Sequence, residues 1–105
     1  MIVISYWELN PAVNALDTAK AGQAVMSSGQ WPPEGCKIMS WYVSASDHWG
    51  ITILEVDSEE AMAKYAHAWT LTLPGMFKKI KSTIALKAEE AMPMLAQFAQ
   101  TLKGE

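Results

Sequence analysis

The sequence predicts an α+β domain in the order β-α-β-β-α-β, with a four-stranded antiparallel sheet, two covering helices and one extra helix at the C-terminal end. Three observations lead to this fold. Four segments alternate with the period of two that marks a strand. Two segments of helical spacing separate the first strand from the second and the third from the fourth. A five-residue turn, Ser44-Ala45-Ser46-Asp47-His48, joins the middle two strands as a hairpin.

Ile2 to Leu9 is the first strand, with Ile2, Ile4 and Tyr6 on one side and Val3, Ser5 and Trp7 on the other. Asn10-Pro11 reads as an N-cap with proline at the first helical position. Ala12, Leu16, Ala19 and Met26 then give the first helix its stripe, and Ser27-Ser28-Gly29 ends it. Trp31-Pro32-Pro33-Glu34-Gly35 forms a stiff loop into the second strand, Cys36 to Val43, and the hairpin leads to the third, Trp49 to Val56. Asp57 and Glu60 are spaced as a capping box before the second helix, whose stripe is Met62, Tyr65, Ala66 and Trp69. Pro74-Gly75 punctuates, and Phe77 to Leu86 is the fourth strand. It places Ile80, Ser82, Ile84 and Leu86 against Lys79, Lys81 and Thr83, and such alternate lysines suit a sheet edge. The last helix, Ala88 to Leu102, carries Ala91, Leu95, Phe98 and Leu102 in register, with Pro93 in its first turn or at a kink. Residues 1–86 thus read as one domain and 87–105 as a helical extension.

Composition bounds the function. The 105 residues are half hydrophobic with 18% charged, as in a single folded domain. A net charge of −3 argues against a nucleic-acid surface, which needs a basic face. No apolar run is long enough to span a membrane, the N-terminal segment lacks the pattern of a secretion signal, and the lone Cys36 forms no intramolecular disulfide. The expected location is the cytoplasm.

The first three strands are apolar on both faces. Strand two sets Ile38 and Tyr42 against Met39, Trp41 and Val43, and strand three sets Ile51 and Ile53 against Leu54 and Val56. Two helices cover one face of a sheet, and a bare second face would leave an apolar patch that monomers rarely tolerate. The expectation is a homodimer joined sheet to sheet, with Trp41 and Leu54 on the joined face. The alternative is the C-terminal helix folded across that face of its own subunit.

The segments Trp31-Pro32-Pro33-Glu34-Gly35, Gly50-Ile51-Thr52-Ile53-Leu54-Glu55-Val56-Asp57 and Ala66-His67-Ala68-Trp69 resemble, in this order, a small family of uncharacterised proteins. That family lies in the ferredoxin-like, dimeric α/β-barrel superfamily, and the resemblance covers about residues 1–85. Trp69-Thr70-Leu71-Thr72 replaces the family's usual Trp-Asn/Asp-Asp-Leu continuation. The resemblance implies a dimeric α/β barrel. It also brings the superfamily's range of roles: cofactor-independent monooxygenases, polyketide cyclases, haem-degrading oxygenases and plain ligand-binding modules. Fold alone does not choose among them.

Residues carry the rest of the choice. A pocket between sheet and helices, lined by Tyr6, Tyr42, Tyr65 and Trp69, would bind a small apolar or aromatic ligand. In a cofactor-independent monooxygenase or cyclase, Glu55 on strand three would be the base, its pKa raised beside indoles. A surface Glu55 would instead pair with Lys79 or Lys81. A haem reading would use His67 as iron ligand, yet the helical wheel turns His67 about 150° from the apolar stripe, away from the sheet. Asp47-His48 alone makes no metal site. Cys36, beside Lys37, is either a thiol of depressed pKa or a small apolar filler. The aromatic residues fill core and interface equally well without any ligand.

Overall fold

The computed structural model describes residues 1–104. Its elements are β1 (Ile2–Leu9), α1 (Ala15–Ser27), β2 (Cys36–Val43), β3 (Trp49–Val56), α2 (Glu59–Thr72), β4 (Phe77–Ala85) and α3 (Ala88–Leu102). The four strands form one antiparallel sheet in the order β2-β3-β1-β4. This is the ferredoxin-like arrangement, with β2 and β4 at the edges.

The register decides what each face carries. Val3 pairs with Leu54 and Ile84, Ser5 with Thr52 and Ser82, and Trp7 with Gly50 and Ile80. These residues share the face under α1 and α2, where Val3 and Leu54 are wholly buried. Val56, Ala61 and Tyr65 complete the core, with Trp31, Cys36, Ile38 and Met62 packed around it. The opposite, open face holds Ile2, Ile4 and Tyr6 beside Glu55, Ile53 and Ile51, flanked by Lys81 and Thr83.

Strand two departs from simple alternation. Ile38 pairs with Leu54 but Ser40 with Ile53, so Met39 is the extra residue of a β-bulge. Ile38 therefore shares the helix-covered face with Trp41, opposite Thr52, and Val43, opposite Gly50. Tyr42 falls on the open face. The expected grouping of Ile38 with Tyr42 is corrected by the bulge. The placing of Trp41 and Leu54 on a sheet-to-sheet face is corrected by the register, since both lie under the helices.

Helix α1 starts later than Asn10-Pro11 suggests. Asn10 instead closes a turn, accepting from the Ala12 N–H at 3.0 Å and donating to the Gly75 carbonyl at 3.2 Å. Asn14 is the true N-cap, its side chain accepting from the Leu16 N–H at 2.7 Å. The inward stripe is Thr18, Ala21, Gly22 and Val25, whereas Leu16 and Met26 are exposed. Small residues on that stripe let α1 approach α2, and Gly22 lies beside the Trp69 ring. For α2, Ser58 rather than Asp57 caps the start, accepting from the Ala61 N–H at 3.1 Å. The stripe through Met62, Tyr65, Ala66 and Trp69 faces inward as its spacing requires.

Helix α3 stands apart. None of its residues is buried, no side chain caps its first turn, Pro93 lies within it, and it shares no packed interface with sheet or helices. The chain is accordingly long in one direction, 59 × 29 × 21 Å. The alternative in which α3 folds across the open face of its own sheet is not met.

Candidate functional site

The β1–β3 pair makes the floor of a cleft on the helix-covered face. The Trp7 ring lies against Gly50, whose missing side chain makes room for the indole. A Cβ at Gly50 would collide with the Trp7 ring and with the Tyr42 carbonyl, so only glycine fits. The Trp7 indole N–H donates to Thr52 Oγ1 at 3.3 Å, which holds the ring in plane and satisfies a buried donor.

Aromatic residues from three parts of the chain form the walls. Trp31 comes from the loop before β2, Trp41 from β2, and Tyr65 and Trp69 from α2. Trp31 is central, with ring centroids 5.2 Å from Trp69, 5.6 Å from Tyr65 and 5.8 Å from Trp41. Trp69 meets both Trp31 and Trp41 edge to face, an arrangement the ring quadrupoles favour. Leu9, Val43, Met76, Phe77 and Ile80 complete the rim. The cleft has a volume of about 170 Å³ and opens to solvent on one side. A closed apolar cavity of roughly 150 Å³ takes up benzene, so one or two fused rings fit here.

The chemistry of the walls is one-sided. Among the described residues no carboxylate, histidine or lysine lines the cleft. The polar groups carried by its lining residues are the indole N–H groups of Trp31, Trp41 and Trp69, the Tyr65 hydroxyl and the Thr52 hydroxyl that already accepts from Trp7. The site therefore offers apolar surface with a few hydrogen-bond donors.

The structure brings together Tyr65 and Trp69 among the residues expected at the site, and separates the others from them. Tyr6, Tyr42 and Glu55 lie on the open face, across the sheet from the cleft. Glu55 is exposed and sits opposite Lys37, not Lys79 or Lys81, which pair with Glu8 and Tyr6. Burial first, and then the Glu8 carboxylate, raise the Tyr6 hydroxyl above its ordinary pKa. His67 is exposed on α2 and does not line the cleft, so a haem held through it would lie outside. His48 is exposed in the hairpin turn, where the Asp47 carboxylate accepts from its backbone N–H at 2.7 Å. Among the described residues no three metal-ligating side chains cluster.

The Cys36 thiol faces the Ala61 carbonyl, 3.3 Å away, at the edge of the core. Burial first, and then the Asp57 carboxylate, push its pKa up, outweighing the opposite pull of Lys64. The apolar-filler reading therefore describes it better than a depressed thiol. Trp7, Trp31, Trp41 and Thr52 are among the cleft residues that the expected site omits. Strand alternation already sets Trp7 and Thr52 on one face, but the bulge conceals that Trp41 joins them.

Comparisons with solved structures recover the same fold. The "Putative antibiotic biosynthesis monooxygenase from Nitrosomonas europaea" superposes with a TM-score of 0.54 at 14% identity, covering 83% of this chain and 97% of that one. A putative antibiotic biosynthesis monooxygenase from Caulobacter crescentus gives 0.51 at 14% identity, covering 82% and 89%. A dimeric ferredoxin-like protein of unknown function from Thermobifida fusca gives 0.49 at 15% identity, covering 81% and 89%. No curated protein matches the sequence. No helix among the described residues is long and apolar enough to cross a membrane. A family model, the domain of unknown function DUF3303, matches residues 1–99, from the first strand well into α3, and the chain belongs to that family.

Proposed function

We propose that the protein binds a small, flat, neutral aromatic ligand in the cleft between sheet and helices. The carrying observation is the wall of Trp7, Trp31, Trp41, Tyr65 and Trp69 around an open volume, with hydrogen-bond donors and no ionised group. Such a site favours a ligand bearing a carbonyl or ether oxygen as acceptor. The same reading makes the working unit a homodimer joined through the open face, where Ile4, Tyr6, Ile51 and Ile53 form a continuous apolar surface.

Calorimetric titration with two probes tests the ligand class. 2-Acetylnaphthalene has a flat bicyclic body with one carbonyl, and 2-ethylnaphthalene has the same shape without the acceptor. Saturable binding is expected, tighter for the ketone, and weakened at least tenfold by Trp69→Ala. Absence of saturable binding, or affinities unchanged in the variant, would overturn the proposal.

A second reading places cofactor-independent oxygenation in the same cleft, supported by the fold shared with the Nitrosomonas and Caulobacter proteins, both named as putative antibiotic biosynthesis monooxygenases. Dioxygen would give one atom to a ring carbon of an electron-rich hydroxylated ring and carry off that carbon's hydrogen and a hydroxyl hydrogen as water, so that the ring itself supplies the electrons and leaves as a quinone. From across the sheet Glu55 does not reach such a ligand, so the Tyr65 and Thr52 hydroxyls would orient it. Incubation of 1,5-dihydroxynaphthalene under ¹⁸O₂ reads this directly: enzyme-dependent gain of one labelled oxygen supports the reading, and none sinks it.

A further inference from the structure

Helix α3 carries a seam that nothing in its own subunit fills. Ala88, Ala91, Leu95, Phe98 and Leu102 recur at intervals of three, four, three and four residues. That spacing is the a/d pattern of a helix packed on another helix, narrower than the stripe a helix shows to a sheet. Leu95, Phe98 and Leu102 are all more than half exposed. A helix of fifteen residues is marginal in water by itself, and an internal proline weakens it further. Docking must supply what the local sequence does not.

Surface area indicates what docks there. A compact chain of 11.6 kDa exposes roughly 5,800 Å², so the 7395 Å² of this one leaves about 1,500 Å² in excess. Its radius of gyration, 17.2 Å, compares with about 13 Å for a compact domain of this length. A stable interface takes roughly 800 Å² from each partner, and obligate homodimers take more. The excess is of the size that an obligate interface buries, and a second copy of this chain offers the same unfilled seam in return. The polar side of α3 points the same way. It carries Glu89, Glu90, Gln97 and Gln100 rather than the lysines and arginines of a helix that lies on anionic lipid.

We infer that α3 is an arm whose Leu95–Phe98 seam packs against a helix of a second copy of this chain. This contact goes beyond the pairing of open sheet faces and stands independently of the cleft's ligand.

Site-specific photocrosslinking in the full chain tests it. A benzophenone-bearing phenylalanine replaces Phe98 on the seam or, as control, Glu90 on the polar side. Subunits grown on heavy and light isotopes are mixed, and the crosslinked peptides are assigned by mass. Heavy-to-light crosslinks from position 98, with at least tenfold fewer from position 90, support this packing between copies. Crosslinks confined to one chain, equal yields from both positions, adducts to lipid or to other proteins only, or no crosslink at all would overturn it. Pairing through the open face is read separately, from the solution mass of Ile4→Lys, so the two failures are distinguishable.

Discussion

Trp7 and Gly50 face each other across the β1–β3 pair, and the indole occupies the space that any side chain at Gly50 would need. The floor of the cleft thus depends on the absence of one methyl group. Gly50→Ala should lift the ring and displace the neighbouring backbone, destabilising the fold by about 1–3 kcal/mol. For a domain of this size that lowers the melting temperature by roughly 4–8 °C per kcal/mol. Thermal unfolding followed by circular dichroism reads the change, and an unshifted melt would show that the ring has other room.

Thr52 holds the same indole from the other side. Thr52→Val preserves shape and removes the acceptor for the Trp7 N–H. Leaving that buried donor unpaired should cost about 1–3 kcal/mol. A urea titration should show a lower midpoint with an unchanged slope, since the surface exposed on unfolding stays the same.

The two faces of the sheet respond differently to charge. Leu54 is wholly buried beneath α2, so Leu54→Glu should unfold the domain. Ile4 lies on the open face, 40% exposed, and Ile4→Lys should leave the fold intact while separating the subunits of the proposed dimer. Light scattering coupled to size exclusion distinguishes them: a folded species of monomer mass is expected for Ile4→Lys. A folded dimer of unchanged stability would remove Ile4 from the interface.

Cys36 ties stability to alkaline pH. Its thiol titrates higher in the fold than in the unfolded chain, so between the two pKa values the folded state holds the extra proton. Stability from this source is fully present below the unfolded thiol value of about 8.5 and is lost as pH rises through the folded one. Denaturation midpoints should fall above that pH in the native chain and fall less in Cys36→Ala. Alkylation by iodoacetamide near neutral pH should likewise be slower than for a free thiol.

Most of the architecture is legible in the sequence because the chain's local signals agree. Alternation locates β1, β2 and β3 to the residue, and helical spacing locates α3 and the inward stripe of α2. The start of α1 is not legible, because Asn10 and Asn14 both carry cap chemistry and the proline at position 11 favours the wrong one. Half of the site is hidden for a different reason. With both faces of β1 and β3 apolar, period-two alternation sorts residues into two sets without telling which set meets the helices. That ambiguity puts Tyr6, Tyr42 and Glu55 in the expected cleft, and Trp41 and Leu54 on the expected open face. The bulge at Met39 compounds it, because one extra residue reverses the side of every residue before it relative to every residue after it.

Four of the five tryptophans line the cleft, and the fifth, Trp49, stands on the open face beside Tyr6 at a centroid separation of 5.9 Å. The chain's ultraviolet emission is therefore divided between two places. Indoles as close as those of Trp31, Trp41 and Trp69 couple their transitions, giving a paired positive and negative band in circular dichroism whose sign depends on their relative tilt. Occupation of the cleft would alter that band, whereas association through the open sheet would alter the emission of Trp49. The protein carries one optical reporter for the cleft and another for the open face without any label attached.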